Sequence, residues 1–415
     1  MITTWRGLAH LAWRNLWRRA RRSLVTAGAM SVGMALCMAS MALTDGMFAQ
    51  LFTLMVERSL GHVQVHHPEW PGARSLYDTL PAAEATLARL DALPGTRSAT
   101  GRLLGYGLAG GAQRSTAAQL IGVSPDRERA ADTLGDALVA GDWLAPTPRA
   151  DAVIGAGLAE TLGIGVGGEI IVVTQASDGS LGNARYTVRG LVRTGAVAVD
   201  DGSIYLHLSD LQELLVLPDQ VHEITLVSAD PDAIPAYRDA VRDLLGPAAW
   251  ARAWWEVSPQ TQQLFAMQAA SKWIVLGLVF SVSAFGVVNT LLMSVFERTR
   301  ELGVLLAIGM RPSRLVAMVL LEALLLAGLA VAMGLVLGGA LDAWLVWHGL
   351  DFSASLEETG VRFNGVRIDP VMRGAVNGWG VVQVAASVVG VALGAALWPA
   401  VRAARLQPVT ALRTE

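Results

Sequence analysis

The sequence predicts a membrane α-helical fold, with four transmembrane helices and a large α+β extracytoplasmic domain inserted between the first and the second. Three observations carry this reading. The stretches 23–43, 273–296, 315–341 and 375–401 hold a single charged residue, Glu322, and each is long enough at ~1.5 Å per residue to cross ~30 Å of hydrocarbon. Basic residues gather before the first stretch, between the second and third, and after the fourth, three places that all lie on the cytoplasmic side in one topology. Residues 61–258 instead alternate strand and helix signals, as a water-soluble α+β block does.

Composition agrees. The chain has 415 residues, 53% of them hydrophobic and 16% charged, a balance that belongs to membrane proteins. Cys37 is the only cysteine, so no intrachain disulfide forms. It sits in an apolar helix, and Met34-Ala35-Leu36 before it lacks the small residue that a bacterial lipid-attachment cysteine needs. Lys272 is the only lysine and follows Ala270-Ser271, so the phosphate-cradling Gly-x-x-x-x-Gly-Lys-Ser/Thr loop is absent. If ATP drives this protein, another chain hydrolyses it.

Residues 1–22 carry Arg6, Arg14, Arg18, Arg19, Arg21 and Arg22 and no acid. At helical spacing Ile2, Trp5, Ala9, Trp13 and Leu16 share one side, with Arg14, Arg18 and Arg21 opposite. This pattern predicts an amphipathic helix on the cytoplasmic membrane face. A nucleic-acid-binding arm is the weaker reading, because a lipid-facing span follows at once.

Residues 23–60 read as the first span and a stalk. The uncharged run is longer than the core of a secretory signal, and Ser40-Met41-Ala42 is a poor cleavage site. Helical periodicity continues past Asp45 through Met47, Phe48, Leu51, Leu54 and Met55.

Within 61–258, strands are expected at 61–66, 103–108, 117–123, 170–174, 186–192, 204–206 and 223–227, and helices at 82–93, 209–217 and 231–245. A strand-rich centre at about 125–203 reads as an inserted β subdomain. Gly163-Ile-Gly165-Val-Gly-Gly168 satisfies the dinucleotide pattern, but a helix precedes it and a strand follows, the reverse of what that fingerprint requires, so it reads as a turn. His62 and His66 on one strand face are about 13 Å apart, too far for one ion, and read as a solvated edge. Neither Gly-x-Ser-x-Gly nor His-Glu-x-x-His occurs, and no catalytic or metal site is expected.

Residues 259–296 carry a second stalk, with Leu264, Phe265 and Met267, and the second span, in which Asn289 and Thr290 are polar. Such groups usually hydrogen-bond to a neighbouring helix. The third span, within 315–347, holds Glu322 near its cytoplasmic end, in reach of Arg298, Arg311 or Arg314; an ion-pathway carboxylate is the alternative. An outer loop at 348–374 sets Asp351, Glu357, Glu358 and Asp369 against three arginines. The fourth span, 375–401, has Trp379 and Trp398 near its ends as interface anchors, and a basic tail, 402–415, follows. Gly334-x-x-x-Gly338 and Gly390-x-x-x-Gly394 permit close helix contact, within this subunit or with a second.

Between the second and third spans, residues 297–314 leave room only for a short charged elbow: Glu297-Arg298-Thr-Arg300-Glu301-Leu-Gly303-Val-Leu-Leu-Ala-Ile-Gly309-Met310, then Arg311-Pro312. Gly309 suits the left-handed turn after a helix, and Pro312 cannot continue one. This run resembles the segment joining the second and third membrane helices of the FtsX-like permeases, a family that includes the MacB-type exporters and the lipoprotein-releasing (Lol) permeases. The resemblance extends to Glu322 and Trp398-Pro-Ala-Val-Arg-Ala-Ala-Arg405-Leu-Gln-Pro408, and more weakly to Leu11-Ala-Trp13-Arg14-Asn15. One departure is Leu306, where the family often has a basic residue.

The resemblance implies an ABC-transporter permease subunit of the bacterial inner membrane, with both termini cytoplasmic and the large domain periplasmic. Its elbow would be the coupling helix on a cytoplasmic ATPase, with Glu297, Arg298, Arg300, Glu301, Gly309 and Arg311 as coupling residues. Helix-surface ion pairing is the structural alternative for these charges. The implied partners are an ABC ATPase dimer, a second identical or homologous permease, membrane lipids and a lipoprotein substrate, and no nucleic acid. ATP and Mg²⁺ would be held by the ATPase, leaving this chain without a cofactor. A stand-alone permease with so large an outer domain looks most like the Lol type. Met47, Phe48, Leu51, Phe52, Met55, Phe265 and Met267 are then candidates for a groove that accepts acyl chains, since flexible Met adapts to varied shapes; packing between stalks is the alternative. A MacB-type peptide or drug exporter and an FtsX-like regulator of a cell-wall hydrolase remain open.

Overall fold

The computed structural model describes residues 5–18, 20–70, 75–111, 114–131, 137–351, 362–363, 366–367 and 371–405. Expectations that rest on Ile2, Arg19, Glu357, Glu358, Asp369 and the tail 406–415 lie outside these residues. The chain divides into two compact units, one of residues 1–49, 266–354 and 371–415 and the other of 50–265 and 355–370.

Among the described residues, three helical stretches are long and apolar enough to cross a membrane: Ala20–Leu60, Pro312–Trp347 and Gly378–Ala404. The fourth expected span lies in the 39-residue helix Pro259–Glu297, which ends in the apolar stretch Ala284–Glu297. Methionines at steps of three and four, Met30, Met34, Met38 and Met41, pack with Cys37 against alanines of the other spans, Ala323, Ala327, Ala330, Ala392 and Ala396. Small side chains let the helices approach, and the unbranched methionines fill the space between.

The N-terminal helix Trp5–Arg18 packs on protein through residues beyond those expected at the membrane face. Leu8, Ala12 and Leu16 are buried, whereas Trp13 and Trp17 are exposed and stack edge to face at 5.7 Å. The helix is placed by protein contacts: Leu8 joins a cluster with Val295, Leu302, Leu315 and Met318, and Leu16 joins the core of the spans.

Between residues 50 and 265 of the second unit the described residues form twelve strands: β1 (Val63–His66), β2 (Leu80–Pro81), β3 (Thr96–Gly110), β4 (Ser115–Val123), β5 (Leu138–Gly141), β6 (Asp151–Gly155), β7 (Glu169–Gln175), β8 (Leu181–Val192), β9 (Ser203–His207), β10 (Gln220–Val221), β11 (Glu223–Ser228) and β12 (Trp250–Ala253). β3 is long enough to serve two layers. Its first half, 96–102, pairs with β11, and through β11 with β1 and β12. Its second half pairs with β4 on one side and β7 on the other. From there β4 pairs with β9, β9 with β6, β6 with β8 and β8 with β7, so six strands close into a ring and protect one another's edges. Leu120, Ile154, Ile170, Val172, Val188 and Ile204 fill it. The ring takes strands from 96 to 207, a wider span than the β subdomain expected at 125–203. The open part of the sheet packs on the helices Ala83–Asp91 and Ile234–Leu245 through Leu87, Leu90, Tyr237 and Val241.

The histidines correct the reading of β1 as an edge. β1 is paired on both sides, and His62, His66 and His222 are all buried. His222 Nδ1 accepts the Leu104 N–H at 3.0 Å, so Nε2 carries the proton and donates to the Leu76 carbonyl at 3.0 Å. His62 Nδ1 accepts the Ser228 N–H at 3.0 Å. Burial lowers the pKa of both rings from 6.5. A depressed histidine pKa gives stability that is complete above 6.5 and falls as pH drops through the folded value. Protonation also removes the Nδ1 acceptor. Hydrogen exchange on the full-length protein is therefore expected to show the Leu104 and Ser228 amides losing protection only as the pH drops below 6.5, relative to other core amides and after correction for intrinsic rate. Unchanged protection would refute this.

Candidate functional site: the charged elbow

The long helix Pro259–Glu297 stops because Arg298 leaves helical geometry (φ −112°, ψ 14°), and the elbow helix Thr299–Ala307 starts immediately. Gly309 takes φ +96°, and Pro312 opens the next helix at its first turn, where a missing N–H costs nothing. The elbow is thus held between two spans with no slack. Leu302 is buried beneath it with Leu305 and Leu306, so the position where relatives often have a basic residue serves here as packing.

Above that apolar underside lies an ion-pair network. Arg298 Nη1 bonds Glu322 Oε1 at 2.9 Å, one of the three partners expected for that acid, and the Asn15 amide donates to the same oxygen. Arg298 Nε reaches Glu301 at 3.2 Å, and Arg18 reaches it at 2.7 Å. Arg22 pairs with Glu297 at 3.3 Å, and its other nitrogen donates to the carbonyls of Thr290 at 2.8 Å and Asn289 at 3.5 Å. Burial works to raise the Glu301 pKa, but the hydrogen bonds from Arg18 and Arg298 outweigh it and hold the carboxyl below its ordinary value. These groups surround a cavity of about 110 Å³.

The coupling residues expected from the sequence therefore separate into two sets. Glu297, Arg298 and Glu301 are engaged within the subunit. Arg300, Gly309 and Arg311 are exposed, together with Val304, Ala307 and Ile308, the last 79% exposed. Asn289 lies on an exposed side of its helix; the interhelical bond expected there is made by Thr290, whose hydroxyl meets Thr26 Oγ1 at 2.9 Å. Sequence reasoning missed Asn15, Arg18 and Arg22 as members of the network, and also Arg402, whose guanidinium sits over the rings of Phe296 and Trp398 at 5.1 and 5.6 Å.

The groove residues also divide. In the second unit Phe52 meets Phe265 edge to face at 5.7 Å, and both meet Trp254, which the sequence reading did not single out. Leu51 is fully buried and Met55 half-buried. The stretch Thr53–Leu60 is a π-helix, and Arg102, paired with the buried Glu128 at 2.9 Å, bonds the Ser59 carbonyl near its end. Met47 and Phe48 are half-buried in the first unit, where Met267 is 65% exposed. Asp45 pairs with Lys272 and accepts the Gln268 amide at 3.2 Å. Among the described residues, His67, Glu69 and Asp78 bring three possible ligand atoms within 4.8 Å of one another, but His67 Nδ1 is turned to the Glu69 N–H at 3.3 Å.

Two family models match this chain. The MacB-like periplasmic core domain matches residues 23–244, more than half of the sequence, and the FtsX-like permease C-terminal region matches 273–408. The chain is 28% identical over 308 residues to the lipoprotein-releasing system transmembrane protein LolC of Neisseria meningitidis serogroup B, covering 72% of this chain and 73% of that one. It is 27% identical over 317 residues to LolC of Xylella fastidiosa, covering 73% and 74%. A shorter match, 33% identity over 131 residues, joins 32% of this chain to 17% of the macrolide export ATP-binding/permease protein MacB of Nitrobacter winogradskyi.

Proposed function

The chain belongs to the family defined by the MacB-like periplasmic core domain, with an FtsX-like permease region after it, and we propose that it is an ABC-transporter permease subunit that releases lipoproteins from the inner membrane. In this reading two permease subunits work with two copies of a separate ATPase, which supplies the ATP and Mg²⁺ sites. The termini and the elbow face the cytoplasm, as the arginine distribution favours, and the large domain faces the periplasm. The observation that carries the coupling claim is the elbow's exposed face. Arg300 and Val304 on the elbow helix and Ile308 at its cap recur at steps of four and are exposed, and Arg311 is exposed after the turn at Gly309. An ATPase cleft with an apolar floor and acidic rim fits this face, and closure of the ATPases would move the spans through the elbow. Lipoprotein as the cargo rests on the likeness to LolC over nearly three quarters of both chains. Phe48 and Met267, beside the start of the stalks, are the proposed acyl-chain contacts. The regional match to MacB favours peptide or drug export as the second reading.

The test is affinity purification of the tagged protein in mild detergent, with mass spectrometry of what accompanies it. An ATPase and a lipoprotein are expected; an ATPase with a periplasmic adaptor would favour export instead. Ile308→Asp places a negative charge on the exposed face and is expected to weaken ATPase retention about tenfold, which is ~1.4 kcal/mol. Arg300→Glu is expected to act in the same direction. Full retention of the ATPase by both variants would overturn the docking assignment.

A further inference from the structure

We infer that Arg18 and Arg22 make the N-terminal helix and the start of the first span a second arm of the coupling elbow, so that arm and elbow move as one body when the ATPase acts. The inference rests on the coupling reading above and goes beyond it, because neither arginine belongs to the elbow or to its exposed face.

The contacts form an antiparallel zipper. Arg18, at the end of the N-terminal helix, meets Glu301 of the elbow helix, and Arg22, at the start of the first span, meets Glu297 at the end of the second. The series continues along the first span, where Thr26 meets Thr290 at 2.9 Å. At the other end Asn15 bonds Glu322, which is itself held by Arg298 at 2.9 Å. Arg22 also bonds the Thr290 carbonyl at 2.8 Å, so its guanidinium grips backbone as well as a side chain. Asn15, Arg18, Arg22 and Thr26 thus tie the N-terminal helix and the start of the first span to the second span, the elbow and the foot of the third.

Charge and packing both argue against simple membrane anchoring as the reason for these arginines. Arg18, Arg22 and Arg298 each face a carboxylate within the subunit, of Glu301, Glu297 and Glu322 respectively. The helix's buried stripe, Leu8, Ala12 and Leu16, packs on protein, and Leu8 shares its cluster with Leu302 of the elbow helix. A push on the elbow would thus reach the N-terminal helix through apolar contact and ion pairs together, and from there the first span. Arg18 and Arg22 are positioning residues: they act through Glu297 and Glu301.

The experiment uses the full complex with its ATPase in nanodiscs. Arg18→Glu with Arg22→Glu should lower permease-dependent stimulation of ATP hydrolysis by roughly fivefold, the effect of losing two partly exposed ion pairs and gaining repulsion. The ATPase should still co-purify. Adding Glu297→Arg and Glu301→Arg should restore stimulation to within about twofold, which a merely destabilised helix would not do. In a Cys37→Ser background, Arg18→Cys and Glu301→Cys joined by a short bifunctional thiol reagent tests the single-body claim. Linked protein should turn over as the unlinked does; loss of turnover on linking would overturn the claim, as would wild-type stimulation by the charge-reversed pair. A wild-type complex that neither retains nor stimulates an ATPase would overturn the coupling reading itself.

Discussion

Arg298→Met is expected to destabilise the membrane unit by about 3 kcal/mol, the lower end of what breaking a buried ion pair costs. Glu322 is 8% exposed and directs one carboxylate oxygen at both the Arg298 guanidinium and the Asn15 amide. Without Arg298 the carboxylate keeps a single amide donor, too little to replace the water it gave up on folding. The adjoining cavity of about 110 Å³ has room for water, which is why the lower end of the range applies. The cost belongs to the orphaned charge more than to the lost contact. Arg298→Met combined with Glu322→Gln should therefore recover most of the loss, since a neutral amide needs less from its surroundings. Thermal unfolding in detergent, followed by tryptophan fluorescence, measures both variants. A double variant as unstable as the single one would show that Arg298 acts through Glu301 or through packing. A single variant as stable as wild type would show that the pair is solvated.

The same residues show how far the sequence is legible. The elbow, its Gly309 and Pro312 stops and the Arg298–Glu322 pair are local or one helix apart, and spacing alone narrows the partners to a few. The zipper joins residues 283 and 275 positions apart, and no periodicity relates them. What the sequence offered was a run of arginines without acids beside an elbow with acids, a complementarity visible only once the two are known to share a membrane face. The N-terminal helix was legible in part for a related reason. Two apolar stripes are available on it: the tryptophans mark the one expected at the membrane face, which the protein leaves exposed, while Leu8 and Ala12 join Leu16 in packing on protein. In the second unit β1 alternates Val63, Gln64, Val65, His66 as a half-exposed strand would, yet it lies between β11 and β12 with both faces covered. Its polar side chains pair instead: His66 Nε2 with the Gln64 amide oxygen at 2.9 Å, and Gln64 with the Leu60 carbonyl at 2.7 Å. Alternation reports polarity, and here polarity was satisfied inside. The closed ring was hidden as well, because it depends on β3 changing partners midway and on β6, a short strand with a weak signal.

The two Gly-x-x-x-Gly pairs give the second large effect, because equal motifs have unequal surroundings. A Cβ added at Gly334 would lie 2.6 Å from Met34 Sδ, and one at Gly338 would lie 2.8 Å from Met38 Sδ and 3.2 Å from the Ala35 Cα. Met34 and Met38 are buried, so their thioethers have little room to yield to a side chain as large as leucine. A methyl group at Gly334 would be absorbed by a small shift of a flexible side chain, but at Gly338 the backbone of the first span is also in the way. Gly334→Leu with Gly338→Leu forces the first and third spans apart and is expected to cost about 3 kcal/mol, at the upper end for overpacking. Around Gly390 and Gly394 the subunit places nothing within 4 Å of an added Cβ. Gly390→Leu with Gly394→Leu should accordingly leave the unfolding temperature of the monomer unchanged within about 0.5 kcal/mol. The pair of double variants separates two functions of one motif. Should the second variant keep the monomer folded but lose the two-permease complex on native gels, that face of the fourth span is where the subunits meet. Equal losses of stability in both variants would mean that leucine is harmful on these helices wherever it is placed, and that the contacts of Gly334 and Gly338 are not what sets the spacing of the spans.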